Sequence, residues 1–107
     1  FNKNVLAVLN RMLRADFDLE GFDHRAFYDR RERWIEMRLV ANRAQRVRLP
    51  VIDLELRFGQ GDELRTEISA KYDRAAVESM LGAAGFRLVE WHTDPDQLFA
   101  LSLAQRH

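Results

Sequence analysis

Between residues 33 and 71 the hydrophobic pattern repeats every second position, and this restricts the possible folds more than any other feature. Successive side chains of a strand point to opposite faces, whereas a helix needs a period near 3.6. In WIEMRLVA (34–41), Ile35, Met37, Leu39 and Ala41 share one side while Glu36 and Arg38 share the other. NRAQ (42–45) reads as a turn and VRL (47–49) as a returning strand, which predicts a hairpin. Pro50 ends it, because proline has no N–H for the ladder. DLELRF (53–58) alternates again, with Leu54, Leu56 and Phe58 inward and Asp53, Glu55 and Arg57 outward. GQGDE then leads into ELRTEISAKY (63–72), a fourth strand. Strict alternation there groups Arg65, Glu67 and Ser69 on one face and Leu64, Thr66 and Ile68 on the other. The stretch as a whole predicts a mostly antiparallel sheet with one apolar face.

The flanking segments follow other rules. Val5, Leu6, Leu9, Met12 and Leu13 recur at helical spacing, so residues 2–14 predict an amphipathic helix with Asn2 as its cap. Residues 18–31, DLEGFDHRAFYDRR, read as irregular, with Gly21 as a break and a short helical turn burying Phe22, Phe27 and Tyr28. After Tyr72, Asp73 is a good N-cap, Ala76, Val77, Met80, Leu81 and Ala84 form an apolar stripe, and Gly85 supplies a left-handed stop. FRLVEW (86–91) and LFALSLA (98–104), joined by the turn HTDPDQ, then predict an antiparallel pair. The expected class is α+β. Residues 1–71 form a helix with antiparallel strands, and residues 72–107 form a helix with a closing strand pair.

Composition narrows the functional classes. A 107-residue chain that is 47% hydrophobic and 32% charged suits one ordinary core and not a disordered tail. Lys+Arg and Asp+Glu both total 17, so no overall field draws the chain to nucleic acid or to an anionic membrane. The absence of cysteine excludes disulfides, thiolate catalysis and cysteine-based zinc sites, and it suits the cytoplasm. No apolar run approaches the roughly 20 residues of a membrane span, and no signal peptide is visible. The opening Phe1 is read as the start of a piece of a longer chain. Fifteen arginines against two lysines are read as codon bias in a GC-rich genome.

Few residues stand out chemically. Glu67 and Ser69, two apart on a strand, offer an acceptor carboxylate and a hydroxyl in the same direction, a set able to read a ring with donor and acceptor nitrogens. The plainer alternative is a polar strand face in water. Met37 falls on an apolar face, where methionine commonly fills core. His24, His92 and His107 lack the spacing of a metal triad and read as structural. GQG at 59–61 lies between two strands and not before a helix, so it reads as a hairpin turn and not as a phosphate loop. Residues 25–48 hold eight arginines beside Tyr28 and Trp34, the composition of an RNA-binding surface. Interleaved Asp23, Asp29, Glu32 and Glu36 favour a solvated, ion-paired face.

Taken in order, FNKNVLAVLNR, WIEMRLV, LRTEISAKY and GFRLVEWHTDPDQLFALSLA resemble the C-terminal third of the histidine-specific, S-adenosylmethionine-dependent Nα-methyltransferases. These enzymes trimethylate histidine to hercynine at the start of ergothioneine synthesis. The resemblance covers essentially the whole chain and implies that residues 1–71 belong to a substrate-recognition part. Residues 72–107 would complete the sheet of a class I methyltransferase domain. By the same resemblance, Glu67 accepts a hydrogen bond from the substrate imidazole, Ser69 contacts the same ring and Met37 lines its pocket. No catalytic residue is implied within these positions. The glycine-rich turn for S-adenosylmethionine and the residues for the amino acid's amine and carboxylate are missing here and are expected upstream, so this piece alone is expected to be inactive. The expected partners are L-histidine and the remainder of the methyltransferase chain. An N-methyltransferase acting on another amino acid, and an arginine-rich module binding RNA or an acidic partner, remain open alternatives.

Overall fold

The computed structural model describes residues 1–107 and contains two helices and seven strands, paired antiparallel throughout, so the class is α+β. The elements are α1 (Asn4–Leu13), β1 (Phe22–Asp29), β2 (Trp34–Ala41), β3 (Gln45–Leu49), β4 (Leu54–Phe58), β5 (Glu63–Ala70), α2 (Arg74–Ala83), β6 (Phe86–Thr93) and β7 (Ala100–Arg106). They fall into two compact units, Phe1–Ala70 and Lys71–His107.

In the first unit β2 is the centre of a three-stranded sheet of order β1-β2-β5, and β3 and β4 form a separate two-stranded sheet. Three expectations are corrected by this arrangement. Residues 22–29 are a full strand and not a helical turn, because Phe22 and Phe27 lie on opposite faces: Phe22 enters the core, while Phe27 lies beneath the guanidiniums of Arg25 and Arg38. Aromatics serving both faces hid the alternation. β3 pairs with β4 and not with β2, because the Pro50–Ile52 turn, closed by Asp53 at φ 51°, sets Leu49 directly beside Leu54. Leu54, predicted to face inward, is exposed. The glycine turn at 59–61 therefore crosses between sheets and is not a hairpin; Gly61, at φ 90°, donates to the carbonyl of Ala41.

The connection from β2 to β3 is pinned against Gly21. Asn42 N–H and Gln45 Nε2 both donate to the Gly21 carbonyl, at 2.9 and 2.8 Å. A Cβ at position 21 would meet Gln45 Oε1 at 2.5 Å, so a larger residue there would displace the Gln45 amide from the Gly21 carbonyl. The core of the unit is Leu6, Phe17, Phe22, Leu39, Ala41, Val47, Leu49 and Phe58, with contributions from α1 and both sheets. Phe22, fully buried, meets Phe58 edge-on at 5.3 Å and Phe17 at 6.1 Å. Burying each large apolar side chain here contributes about 1.5–3 kcal/mol. The chain leaving α1 is held by Asn10, whose amide exchanges two 2.8 Å hydrogen bonds with the backbone of Phe17.

Asn2 is not the cap of α1. Lys3 holds that position without a side-chain bond, and Asn2 turns away, buried, into the sheet.

The second unit follows the sequence reading closely. Asp73 caps α2 by accepting the Ala76 N–H at 2.8 Å, Gly85 takes φ 82°, and β6 pairs with β7 with an irregularity at Val89. Asp94 holds the following loop by accepting the Phe99 N–H at 2.8 Å. That bond, first among its causes, keeps the Asp94 carboxyl below the usual range. Phe86, Val89, Leu98, Phe99, Leu101 and Leu103 stand exposed.

Phe22→Ala is expected to lower the stability of the first unit by about 3–5 kcal/mol, the range for emptying an aromatic core position. Asp73→Ala is expected to cost only about 1 kcal/mol, the value of one N-cap. Urea unfolding of the two variants, followed by tryptophan fluorescence, measures the difference, and equal midpoints would contradict this placement of the core.

Candidate functional site

The site is created by a break in alternation. β2 and β5 pair Ile35 with Ser69 and Met37 with Glu67, but the next pair is Arg38 with Arg65, leaving Thr66 as an extra residue on β5. Such a bulge inserts one position into the ladder and rotates the strand beyond it by one face. Directly opposed residues in an antiparallel pair share a face. Met37, Glu67, Ile35 and Ser69 therefore lie on the same surface, which continues into the core through Leu39, Leu64 and Phe22. Arg65 lies on the opposite face from Glu67. The strict alternation expected from the sequence is corrected at this one residue.

The structure thus brings Glu67, Ser69 and Met37 together. Glu67 lines an open depression of about 330 Å³ with Asn2, Val5, Val8 and Thr66, between the start of α1 and β5. An adjoining hollow of similar size is lined by Asn2, Lys3, His24 and Met37. At the Leu39 end this face is sealed by core, while at the other end Glu67 is exposed and Ile35, Met37 and Ser69 are half-buried. The residue between the two hollows is Asn2. Its Nδ2 donates to the Arg38 carbonyl at 3.0 Å and lies 2.9 Å from His24 Nδ1, and its Oδ1 accepts from the Thr66 hydroxyl. Neither Asn2 nor Thr66 was marked by the sequence, because a capping asparagine and a strand threonine are both ordinary until the bulge joins them.

The opposite face of the sheet is ionic. Glu36, buried despite its charge, accepts from Trp34 Nε1 at 3.0 Å and from Arg38 Nε and Nη2 at 2.9 and 2.6 Å. Arg38 also reaches Glu63, which takes a second bond from Arg25 at 2.7 Å. Both guanidiniums lie over the Phe27 ring, at 4.7 and 5.1 Å from its centroid. The Arg38 and Trp34 hydrogen bonds hold the Glu36 carboxyl below its ordinary value, and Arg38 and Arg25 do the same for Glu63. Arg38 in turn is raised, by Glu63 first and then Glu36.

Among the arginines between residues 25 and 48, ion pairs are made by Arg25, by Arg38, by Arg43 with Asp18, and by Arg46 and Arg48 with Glu55. The arginines are ion-paired as expected, but of the interleaved acids only Glu36 takes part in these pairs; the other partners, Glu63, Asp18 and Glu55, lie outside that stretch. His92 pairs with Glu90 at 2.8 Å, and no three His, Cys, Asp or Glu side chains are grouped to hold a metal. No helix is long and apolar enough to cross a membrane.

The family model described as histidine-specific methyltransferase, SAM-dependent, matches residues 1–106, and the chain belongs to that family. It is 50% identical over 106 residues to the histidine N-alpha-methyltransferase of Mycolicibacterium smegmatis, covering 99% of this chain and 33% of that protein. To the histidine N-alpha-methyltransferase of Mycobacterium tuberculosis it is 47% identical over the same length and coverage. The chain therefore spans about a third of the length of these curated relatives.

The lowered Glu36 and Glu63 carboxyls set a pH dependence. A depressed carboxyl stabilises the fold fully above the unfolded value, near 4.5, and that contribution is lost as pH falls through the folded value. Glu36→Gln is expected to lower the thermal midpoint at neutral pH, with the gap to the native protein narrowing below about pH 4.5. Thermal melts across that window check it; a gap independent of pH would show that the charge on Glu36 does not matter.

Proposed function

We propose that this chain is the C-terminal part of an S-adenosylmethionine-dependent L-histidine Nα-methyltransferase, a cytoplasmic enzyme converting histidine to its trimethylated form, hercynine, in ergothioneine synthesis. The family match supports the chemistry, and the names of the two relatives supply the substrate. In this reading the β2–β5 face is the imidazole end of the substrate pocket. Glu67 accepts the ring N–H, Ser69 contacts the same ring, and Met37 packs against its plane. The observation that carries the assignment is the register pair Met37–Glu67, with Ser69 two residues on, all on one face, where Glu67 lines one hollow and Met37 another. The second unit, whose strands expose Val89, Leu101 and Leu103, would complete a class I methyltransferase sheet formed by the rest of the chain.

The residues present do not fit the cofactor itself. At the glycine turn, the Gly59 N–H is taken by the Asp62 carboxylate at 2.7 Å and the Gly61 N–H by the Ala41 carbonyl. At α2, Asp73 occupies the Ala76 N–H and places a negative charge at the helix start. Neither offers a cradle of open backbone donors, so holding S-adenosylmethionine and the substrate's amine and carboxylate falls to residues outside this chain. What these residues do is orient the far end of the amino acid and exclude water from it.

A hydrogen bond from a neutral donor to a carboxylate contributes about 1.5–3 kcal/mol, equivalent to about one to two decades in binding. A substrate without the ring N–H would leave that carboxylate unpaired, which widens the discrimination. In the full-length protein, Glu67→Ala is expected to raise the KM for histidine about tenfold to a hundredfold, with a smaller effect on a bulky apolar amino acid. Steady-state methyl transfer to both substrates decides the matter; parallel losses for the two would remove Glu67 from ring recognition.

A further inference from the structure

We infer that Asn2 and Thr66 are positioning residues that lock the β5 bulge and thereby aim Glu67 and Ser69 into the pocket; the inference rests on the imidazole reading above. Were Thr66 paired regularly opposite Met37 instead of bulged out, the alternation counted from the Leu64–Leu39 pair would turn Glu67 and Ser69 to the ionic face. The pocket therefore exists only while the bulge stays at Thr66.

A bulge is a weak point of a ladder because it interrupts the regular hydrogen bonds. Here the two carbonyls bordering the register shift each take a side-chain donor. Met37 C=O accepts from the Thr66 hydroxyl at 3.1 Å, and Arg38 C=O accepts from Asn2 Nδ2 at 3.0 Å. The Thr66 hydroxyl has one proton, shared between Met37 C=O and Asn2 Oδ1, and that shared bond joins the two side chains. The second Asn2 amide hydrogen is directed at His24 Nδ1, which places the His24 ring proton on Nε2. Both Asn2 amide hydrogens and its carbonyl oxygen are thereby engaged, and Asn2 is 8% exposed. An asparagine so committed, placed immediately before α1, ties the start of that helix to the residues that set the register. Both Asn2 and Thr66 also line the depression beside Glu67, so a slip at either would be felt where the ring sits.

The test uses the full-length protein and steady-state kinetics with histidine. Thr66→Val keeps the shape but removes the hydroxyl; it is expected to raise the histidine KM about tenfold, the size of one hydrogen bond that orients a charged partner, with kcat changed much less. Thr66→Ser is expected to restore the native KM. In a Glu67→Ala background the same Thr66→Val change is expected to add clearly less than it does alone, because most of its effect passes through that carboxylate and only the part through Ser69 remains. Should Thr66→Val fail to fold, as judged by its thermal melt, Asn2→Asp carries the same test, since it removes the donors to Arg38 C=O and His24 while keeping the volume. A native histidine KM in both variants, or a further full loss on top of Glu67→Ala, would overturn the inference. If Glu67→Ala itself leaves the histidine KM unchanged, the imidazole reading falls and this inference with it. If Glu67→Ala raises KM while Thr66→Val and Asn2→Asp do not, only the bulge inference fails.

Discussion

The register between β2 and β5 is the constraint on which the rest of the first unit depends. β2 is the central strand, so whatever faces it from β5 decides what lies on either side of the sheet. At one end the pairing is set by packing: Leu39 is fully buried, Leu64 packs against the same cluster, and a one-residue slip would place charged side chains there. At the other end no core holds the strands. There the extra residue at Thr66 reverses the facing of Glu67 and Ser69. By bulging out of the ladder, Thr66 keeps Glu67 and Ser69 off the ionic face and leaves them as a polar patch beside Met37.

The two surfaces of β2 have contrasting physics. On one, Glu36 and Glu63 are shared between Arg38, Arg25 and Arg65, with Phe27 beneath two of the guanidiniums. Each charge has a partner of the opposite sign, and the carboxyls are held ionised. Such a network favours one arrangement of three strands over its alternatives, since a slip would strand the buried carboxylate of Glu36 without partners. On the other surface, Asn2 and Thr66 are bonded to each other and to the backbone, and Glu67 is exposed. The first surface fixes the sheet, and the second is left to meet something else.

Much of this was legible in the sequence. The alternation in WIEMRLVA and the capping pair Asp73 and Gly85 are local signals with local causes, and the elements they mark are where they were expected. The failures share a physical origin in long-range pairing. β1 was missed because its aromatics serve two faces, one in the core and one under arginines, so no single stripe appears. β3 finds β4 and not β2 because the Pro50–Ile52 turn, closed by Asp53 in the left-handed region, sets Leu49 beside Leu54. Thr66 gave no warning, because a bulge depends on which strand lies opposite, and strand pairing is not written in spacing. The grouping of Glu67 with Ser69 was legible since both lie on the same side of the bulge; their grouping with Met37 came from the family resemblance and not from alternation.

An open carboxylate is a poor discriminator while water surrounds it, because water satisfies it as well as any ligand does. Discrimination requires that the site be closed, so that the alternative to a matched ring is an unpaired buried charge. The first unit supplies the polar groups of such a site but only one wall, formed by the start of α1. The relatives are three times longer than this chain, which leaves about two-thirds of their length to provide the remaining walls. In the proposed enzyme, orientation and desolvation are therefore contributed by different parts of the chain. The sheet holds the recognising groups rigidly in register, and closure by the remainder converts that geometry into selectivity.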